Sequence, residues 1–300
     1  MENIIDSEIN RQLRAECNPD GSLLRKLQLS QLDILIEFDR ICRKQKINYW
    51  LDFGTLLGAE RHGGFIPWDD DIDVMMLRSE YERLCKIASE EFIHPYFFQT
   101  EETDPGSYRG HAQLRNSETT GILKGELCQN KKINQGIFID IFPLDYVPDS
   151  EDKRMHVFKR IETLQNKYRL YISYQFPYEF HFRKNFVLLI YNLIRHYTIS
   201  KTKARIKTDK YYQEYLRYVT SKNSNSHTLL MSPFYMERWS YNCIYLSEAK
   251  EFPFEMLTIP VPSGYEAMLN KTYRNWKEFV VGGSVHGGVI FDTDKPYTDY

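Results

Sequence analysis

Residues 54–73 read GTLLGAERHGGFIPWDDDID, and the way their carboxylates fall decides what the rest of the chain must build. Asp69, Asp70, Asp71 and Asp73 put four acids into five positions, and such a group repels itself unless it is solvated or holds a cation. Asp71 and Asp73 flank Ile72 at the opening of the apolar run IDVMM (72–76), where period-two geometry places both carboxylates on one face of a strand. Two oxygen ligands on one rigid edge suit Mg²⁺ or Mn²⁺, which take one or two carboxylates and complete their shell with water and substrate phosphate. A third acid, Asp140, lies inside the apolar strand FIDIF (138–142), where an unpaired charge is costly. The simplest compensation is that Asp140 stands beside the other two and shares their metal. Asp69 and Asp70 are not forced onto a strand and read as a solvated or capping turn, with Asp69 kept as a secondary site candidate.

Upstream, YWLDFGTLL (49–57) reads as a buried strand ending in a turn at Gly54-Thr55. There the glycine lets a phosphate approach the backbone, and the threonine hydroxyl sits beside it. Arg61 and His62 fall in the connection to the acids, where a cation would meet phosphate. Trp68 reads as core packing rather than nucleobase stacking. Before this region, residues 23–46 carry Leu24, Leu27, Leu32, Leu35, Ile36, Phe38 and Ile41 at helical spacing, with Gln28 and Ser30 interrupting the apolar face. After it, Ser79 and Glu82 read as a capping box opening a helix. Residues 97–99, 111–115 and 136–142 read as strands, the last ended by Pro143 and Pro148. Residues 252–262 (FPFEMLTIPVP) read as a hairpin arm at a sheet edge, and residues 264–276 as a helix.

A Gly-Thr turn, then D-h-D opening a strand, then a lone Asp in a later strand resembles the nucleotidyltransferase superfamily. More narrowly, YWLDFGTLLGAERHGGFIPWDDDIDVMM and FIDIFPLD closely resemble the LicD family of phosphotransferases, related to fukutin and fukutin-related protein, over about residues 46–145. Thr55 replaces the Gly or Ser of the broad superfamily pattern and is separated by fifteen residues from Asp71, a lengthening that LicD-like proteins share. The resemblance implies an α+β fold, a nucleotidyltransferase-like mixed sheet flanked by helices. It implies transfer of a phospho-alcohol, typically phosphocholine from CDP-choline, onto a hydroxyl of a cell-surface glycan such as teichoic acid, lipopolysaccharide or capsule. Asp71 and Asp73 would then hold the metal on the donor diphosphate. Asp140 would complete the site and take the acceptor's proton. Gly54, Thr55, Arg61, His62 and Arg115 would face phosphate, with His286 in GGSVHGG a further candidate.

Composition bounds the rest. Three hundred residues at 42% hydrophobic, 27% charged and 15% aromatic make a globular chain of one large domain or two coupled ones. The net charge of −2 conceals a segment, 153–222, with 16 Lys+Arg against four acids. That balance of +12 leaves −14 on the other residues, so the middle of the chain is expected to meet something anionic. The division expected is an N-terminal helical region (1–48), a catalytic core (49–150), a basic helical insertion (151–226) and a C-terminal part completing the catalytic domain (227–300). The longest apolar run, VLLIYNLI (187–194), falls far short of the roughly 20 residues of a spanning helix but suits an interfacial one among Arg183, Lys184, Arg195 and Lys201. Five scattered cysteines without CxxC pairing read as reduced, and the polar N-terminus has no signal-peptide h-region, so a cytoplasmic enzyme at the inner face of the membrane is expected. Two other readings use the same residues: a nucleotidyltransferase adding NMP to a hydroxyl, and an anionic-polymer binder with a degenerate catalytic core. No single-strand nucleic-acid recognition motif appears, and no nucleic-acid partner is expected.

Overall fold

The computed structural model describes residues 8–123, 126, 132–175, 190, 193–194, 197–222, 227–232, 240–273, 275–279 and 290–300. The chain divides into two compact units, residues 1–145 with 228–300, and residues 146–227.

In the first unit, α1 (Glu8–Cys17) precedes α2 (Leu23–Gln45). Ser22 caps α2 by accepting the Arg25 amide at 3.0 Å, and Lys46 closes it in the left-handed conformation at φ 51°. Most of the expected apolar face is buried, with Leu27, Leu32, Leu35, Phe38 and Ile41 in the core and Leu24 packed at its margin, but Ile36 is exposed. Each of the core side chains contributes about 1.5–3 kcal/mol by leaving water.

The sheet strands are β1 (Trp50–Leu51), β2 (Asp73–Leu77), β3 (Tyr96–Gln99), β4 (Ala112–Asn116), β5 (Thr120–Ile122) and β6 (Ile137–Val147), followed by β7 (Leu229–Met231) and β8 (Tyr241–Asn242). Five of them run in the order β1-β2-β6-β4-β3, with β7 and β8 completing a seven-stranded sheet. The β2/β6 pair is parallel and the β1/β2, β4/β6 and β3/β4 pairs are antiparallel, which makes this the expected α+β mixed sheet. A hairpin of β9 (Ala249–Phe254) and β10 (Leu257–Pro262) and the helix α7 (Tyr265–Tyr273) follow, and β11 (Ile290–Asp292) pairs with β5.

Three local expectations are corrected. Residues 49–57 are not one strand: β1 ends at Leu51, Asp52 caps a helix by accepting the Phe53 amide at 2.9 Å, and α3 (Phe53–His62) contains Gly54 and Thr55. The helix α4 (Arg78–Glu91) starts ahead of the Ser79 box, and its cap position, Leu77, makes no side-chain cap bond. There Arg78 is instead drawn into a buried pair with Asp145, through Nε–Oδ1 at 2.9 Å and Nη2–Oδ2 at 2.7 Å. Pro143 does not end β6, because pairing with β4 stops at Ile141 and a residue lacking an N–H costs that ladder nothing beyond it.

The second unit carries two long helices, α5 (Glu151–Ser173) and α6 (Lys201–Lys222). Arg160 meets Glu214, Lys167 lies over Tyr211 and Gln175 donates to Thr208, so the two helices run antiparallel. Tyrosines fill their seam, with Tyr168 edge-on to Tyr212 at 5.3 Å and tilted against Tyr215 at 5.7 Å. Most of 187–194 and the region around Pro177 lie outside the described residues. No described helix is long and apolar enough to cross a membrane.

Candidate active site

One transverse row of side chains crosses the sheet. Register pairs Asp73 with Asp140, Asp140 with Gln113, and Gln113 with Gln99, and directly opposed residues share a face. The two acids from distant parts of the sequence therefore stand on neighbouring parallel strands, both buried. Backbone bonds fix the junction: Asp52 N donates to Asp73 O at 3.0 Å, Asp140 N to Ile72 O at 2.9 Å, and Asp73 N to the Thr55 hydroxyl oxygen at 2.8 Å.

Residues from β4 and the turn before it serve Asp140. His111 Nε2 lies 2.9 Å and Gln113 Nε2 2.7 Å from the same oxygen, Oδ1, so Oδ2 carries no protein hydrogen bond among the described residues. Behind them Arg115, wholly buried, donates to Gln113, to Gln99 at 2.7 Å and to the Gly136 carbonyl at 2.6 Å, with its guanidinium over Phe138. The expected phosphate contact by Arg115 is thus corrected. Nε, Nη1 and Nη2 all have protein partners, and the residue positions Gln113, which positions Asp140.

The loop carrying Asp69–Asp71 is tied to α2. Gln28 Nε2 donates to Asp69 O and Gln31 Nε2 to Asp70 O, both at 2.9 Å, from side chains that are themselves buried. Gln28, one of the two polar interruptions of the α2 pattern, and Gln31 are therefore the fasteners of the acidic loop. Carboxylate oxygens of Asp69, Asp70 and Asp71 all lie within 4.8 Å of one another, whereas Asp71, Asp73 and Asp140 do not form so tight a group. Of the solvated or capping turn expected at Asp69 and Asp70, the solvated form is not seen, since Asp70 is 9% exposed and Asp69 half-buried, while Asp69 Oδ1 does accept the Asp70 amide at 3.2 Å. A Cβ at Gly54 would stand 2.6 Å from Asp69 Oδ2, so the first turn of α3 leaves room for that carboxylate only because residue 54 is glycine. Gly54→Ala is expected to displace Asp69, lowering divalent-cation affinity about tenfold with little change in melting temperature; titration calorimetry with Mn²⁺ checks it.

The electrostatics are those of carboxylates crowded together away from water. Burial, then the charges of Asp71 and Asp70, push the Asp69 carboxyl up to about 8. Burial, then Asp71, Asp140, Asp52 and Asp69, hold Asp73 well above the carboxylate range. Asp52 is pushed up to about 7 by burial, against the Phe53 amide. Asp140 goes the other way: burial raises it, but His111, Gln113 and Arg109 together hold it below the usual value. The same field reaches Tyr273 at the end of α7, whose hydroxyl is raised by burial and then by Asp73, Asp69 and Asp52. A set of hard oxygen donors that destabilise one another fits a divalent cation.

This arrangement predicts a pH dependence. Folded Asp52 and Asp69 keep protons to about 7 and 8, while in the unfolded chain they lose them near pH 4. The folded state binds the extra protons, so stability falls as pH rises toward 8. His62, lowered to about 3 by burial and by Arg61 and Arg14, acts oppositely, but only below its unfolded value of about 6.5. In EDTA, the melting temperature is therefore expected to fall from pH 6.5 to 8.5, with the slope reduced in Asp69→Asn; a flat or rising curve would count against the cluster.

Arg61 and His62 are in the last turn of α3, not in a loop, because Gly63 at φ 60° ends the helix after them. Both are buried. Arg61 stacks over Phe279 at 4.3 Å with Nε and Nη2 unbonded among the described residues, and His62 Nδ1 meets Asn10. Thr55 likewise uses its hydroxyl oxygen on the Asp73 amide. Trp68 packs on the core as expected, and His286 lies outside the described residues. Site roles for Asp52, His111, Gln113 and Gln31 are not signalled in the sequence, and Gln28 shows there only as a break in an apolar face. The alternation His111-x-Gln113-x-Arg115 was a legible signal for one polar face of β4.

Residues 46–188 match the family described as LicD/FKTN/FKRP, nucleotidyltransferase domain. The lipopolysaccharide cholinephosphotransferase LicD of Haemophilus influenzae is 41% identical over 127 residues, 42% of this chain and 46% of that protein. The uncharacterized protein RP689 of Rickettsia prowazekii is 39% identical over 62 residues, 21% of this chain and 23% of that protein. Ribitol 5-phosphate transferase FKRP of Homo sapiens is 61% identical over 28 residues, 9% of this chain and 6% of that protein. The chain thus matches less than half the length of each of these relatives.

Proposed function

We propose that the chain, whose residues 46–188 match the LicD/FKTN/FKRP nucleotidyltransferase domain, is a metal-dependent phosphotransferase of that family, moving a phospho-alcohol from a CDP-linked donor to a glycan hydroxyl. Phosphocholine is the group we favour, since the relative matched over the longest stretch here is named a cholinephosphotransferase acting on lipopolysaccharide. The observation that carries the reading is the register of Asp73 on Asp140, with Asp71 and Asp69 beside them. Teichoic acid or capsule in place of lipopolysaccharide would change the acceptor but not these residues. A cytidine nucleotide donor suits a cytoplasmic site.

Asp71, Asp73 and Asp140 would hold Mg²⁺ or Mn²⁺, with Asp69 alongside. Bound there, the ion would neutralise charge on the donor diphosphate and the departing CMP. The chain's own residues do the rest. His111 and Gln113 keep Asp140 ionised and fix Oδ1, leaving Oδ2 to take the proton of the acceptor hydroxyl. Thr55 and Asp52 lock the backbone of Asp73, and Gln28 and Gln31 hold the acidic loop against it.

The test is to incubate the protein with CDP-choline, CDP-glycerol or CDP-ribitol, Mg²⁺ or Mn²⁺ and a cell-wall glycan extract, and to follow CMP. Acceptor-dependent CMP release that EDTA abolishes is expected. Pyrophosphate released from an NTP would instead make the chain a nucleotidyltransferase. Neither product, with glycan binding retained, would make it a polymer-binding protein with a degenerate core.

A further inference from the structure

Charge is segregated along the α5/α6 hairpin. The half formed by the start of α5 and the end of α6 mixes signs, with Glu151, Asp152, Glu162 and Glu214 among its cations. The other half, residues 166–175 and 200–212, carries Lys167, Arg169, Lys201, Lys203, Arg205, Lys207 and Lys210 against Asp209 alone. On α6, Lys203, Lys207 and Lys210 follow i, i+4, i+7 spacing and share a side, whereas Asp209 is out of that row and is turned to the other flank.

These lysines are organised. Tyr171 and Tyr211 stack across the seam at 5.6 Å and 13°. Lys207 lies over Tyr171 at 4.9 Å and donates to its hydroxyl at 3.1 Å. Lys167 and Lys210 lie over Tyr211 at 5.1 and 5.9 Å. Three ammonium groups are thus held over one tyrosine pair, and among the described residues none of Lys167, Lys203, Lys207 and Lys210 is in an ion pair. A large apolar side chain stands exposed in the α6 row: Ile206 (63% exposed) sits between Lys203 and Lys210.

We propose that this face of the hairpin docks on an anionic phospholipid surface, with the lysines among headgroups and Ile206, in the row of Lys203 and Lys210, at the acyl boundary. Cations alone would suit any polyanion. An exposed apolar residue set inside the cationic row favours a bilayer, which offers apolar depth below the charge. Lysines rather than paired arginine forks also match a diffuse layer of headgroups better than fixed bidentate phosphates. The inference rests on the second unit alone and stands whether or not the carboxylate site transfers a phospho-alcohol.

The test is co-sedimentation of the whole chain with vesicles of phosphatidylcholine alone or with phosphatidylglycerol. Binding is expected only with the anionic lipid at about 50 mM salt, and to be lost at about 500 mM, where charges are screened. Lys167→Gln/Lys203→Gln/Lys210→Gln should weaken it roughly 100-fold, three headgroup contacts having been removed. Lys207 is left in place because of its bond to Tyr171, and an unchanged melting temperature confirms the fold. Ile206→Ser should weaken binding several-fold, whereas the equal charge change Lys86→Gln/Lys153→Gln/Lys159→Gln should spare it. The proposal is overturned by absence of binding at low salt, by equal loss in both triple variants, or by binding to soluble polyphosphate or RNA with no vesicle binding.

Discussion

Asp73→Asn should reduce acceptor-dependent CMP release by at least about a thousandfold, equivalent to roughly 4 kcal/mol of transition-state stabilisation. Asp73 is the carboxylate through which the cluster is joined: Asp140 stands opposite it, and Asp71, Asp52 and Asp69 all press on its ionisation. Asparagine keeps the shape and the backbone bond to Thr55 but removes the charge that a cation needs. The same substitution relieves repulsion among buried acids, so in EDTA at pH 8 the variant should melt no lower than the parent chain. Added Mg²⁺ should raise the melting temperature of the parent and leave the variant nearly unmoved. Activity loss accompanied by unfolding would point to a structural role, and full activity would remove Asp73 from the site.

The second large effect is on stability alone. Arg78 and Asp145 make a bidentate pair with side chains 9% and 3% exposed, joining the start of α4 to β6. Arg78→Ala would strand the Asp145 carboxylate and is expected to cost about 3–5 kcal/mol, a drop of order 10 °C in melting temperature. Arg78→Met/Asp145→Leu should recover much of that loss, because two apolar side chains leave no charge uncompensated. Thermal unfolding of the two variants decides it. A loss below about 1 kcal/mol in Arg78→Ala would mean that the pair behaves like an exposed one.

The parts of the fold that could be seen in advance were those with one dominant signal. Asp73 at the opening of β2 and the lone Asp140 in an apolar strand announced the junction of two strands, and α2 announced itself by spacing, whereas Asp71, expected on the same strand face as Asp73, lies in the loop before β2. What escaped notice was hidden by residues serving two purposes. Gly54 made the start of α3 look like a turn, yet it and Gly58 are each small for a tertiary reason: a Cβ would meet Asp69 at one and the Gly64 carbonyl, at 2.4 Å, at the other. Gln28 looked like a flaw in an apolar face because its partner, the Asp69 carbonyl, is 41 residues away. Arg115 was expected at phosphate from the resemblance alone, and two of its three protein partners, Gln99 and Gly136, come from parts of the sequence that no local pattern links to it. Arg78 and Asp145 carried no local pattern at all, and only the parallel register of β2 and β6 brings them together.

Direct titration of Mn²⁺ into the metal-free protein, followed by the electron paramagnetic resonance of the free ion, is the closest test of the carboxylate cluster as a cation site. The account predicts that the wild-type chain removes Mn²⁺ from solution at pH 8, that Mg²⁺ competes for the same site, and that Asp73→Asn and Asp140→Asn each weaken uptake by tenfold or more. Uptake that is absent in the wild-type chain, or undiminished in both variants, would contradict it.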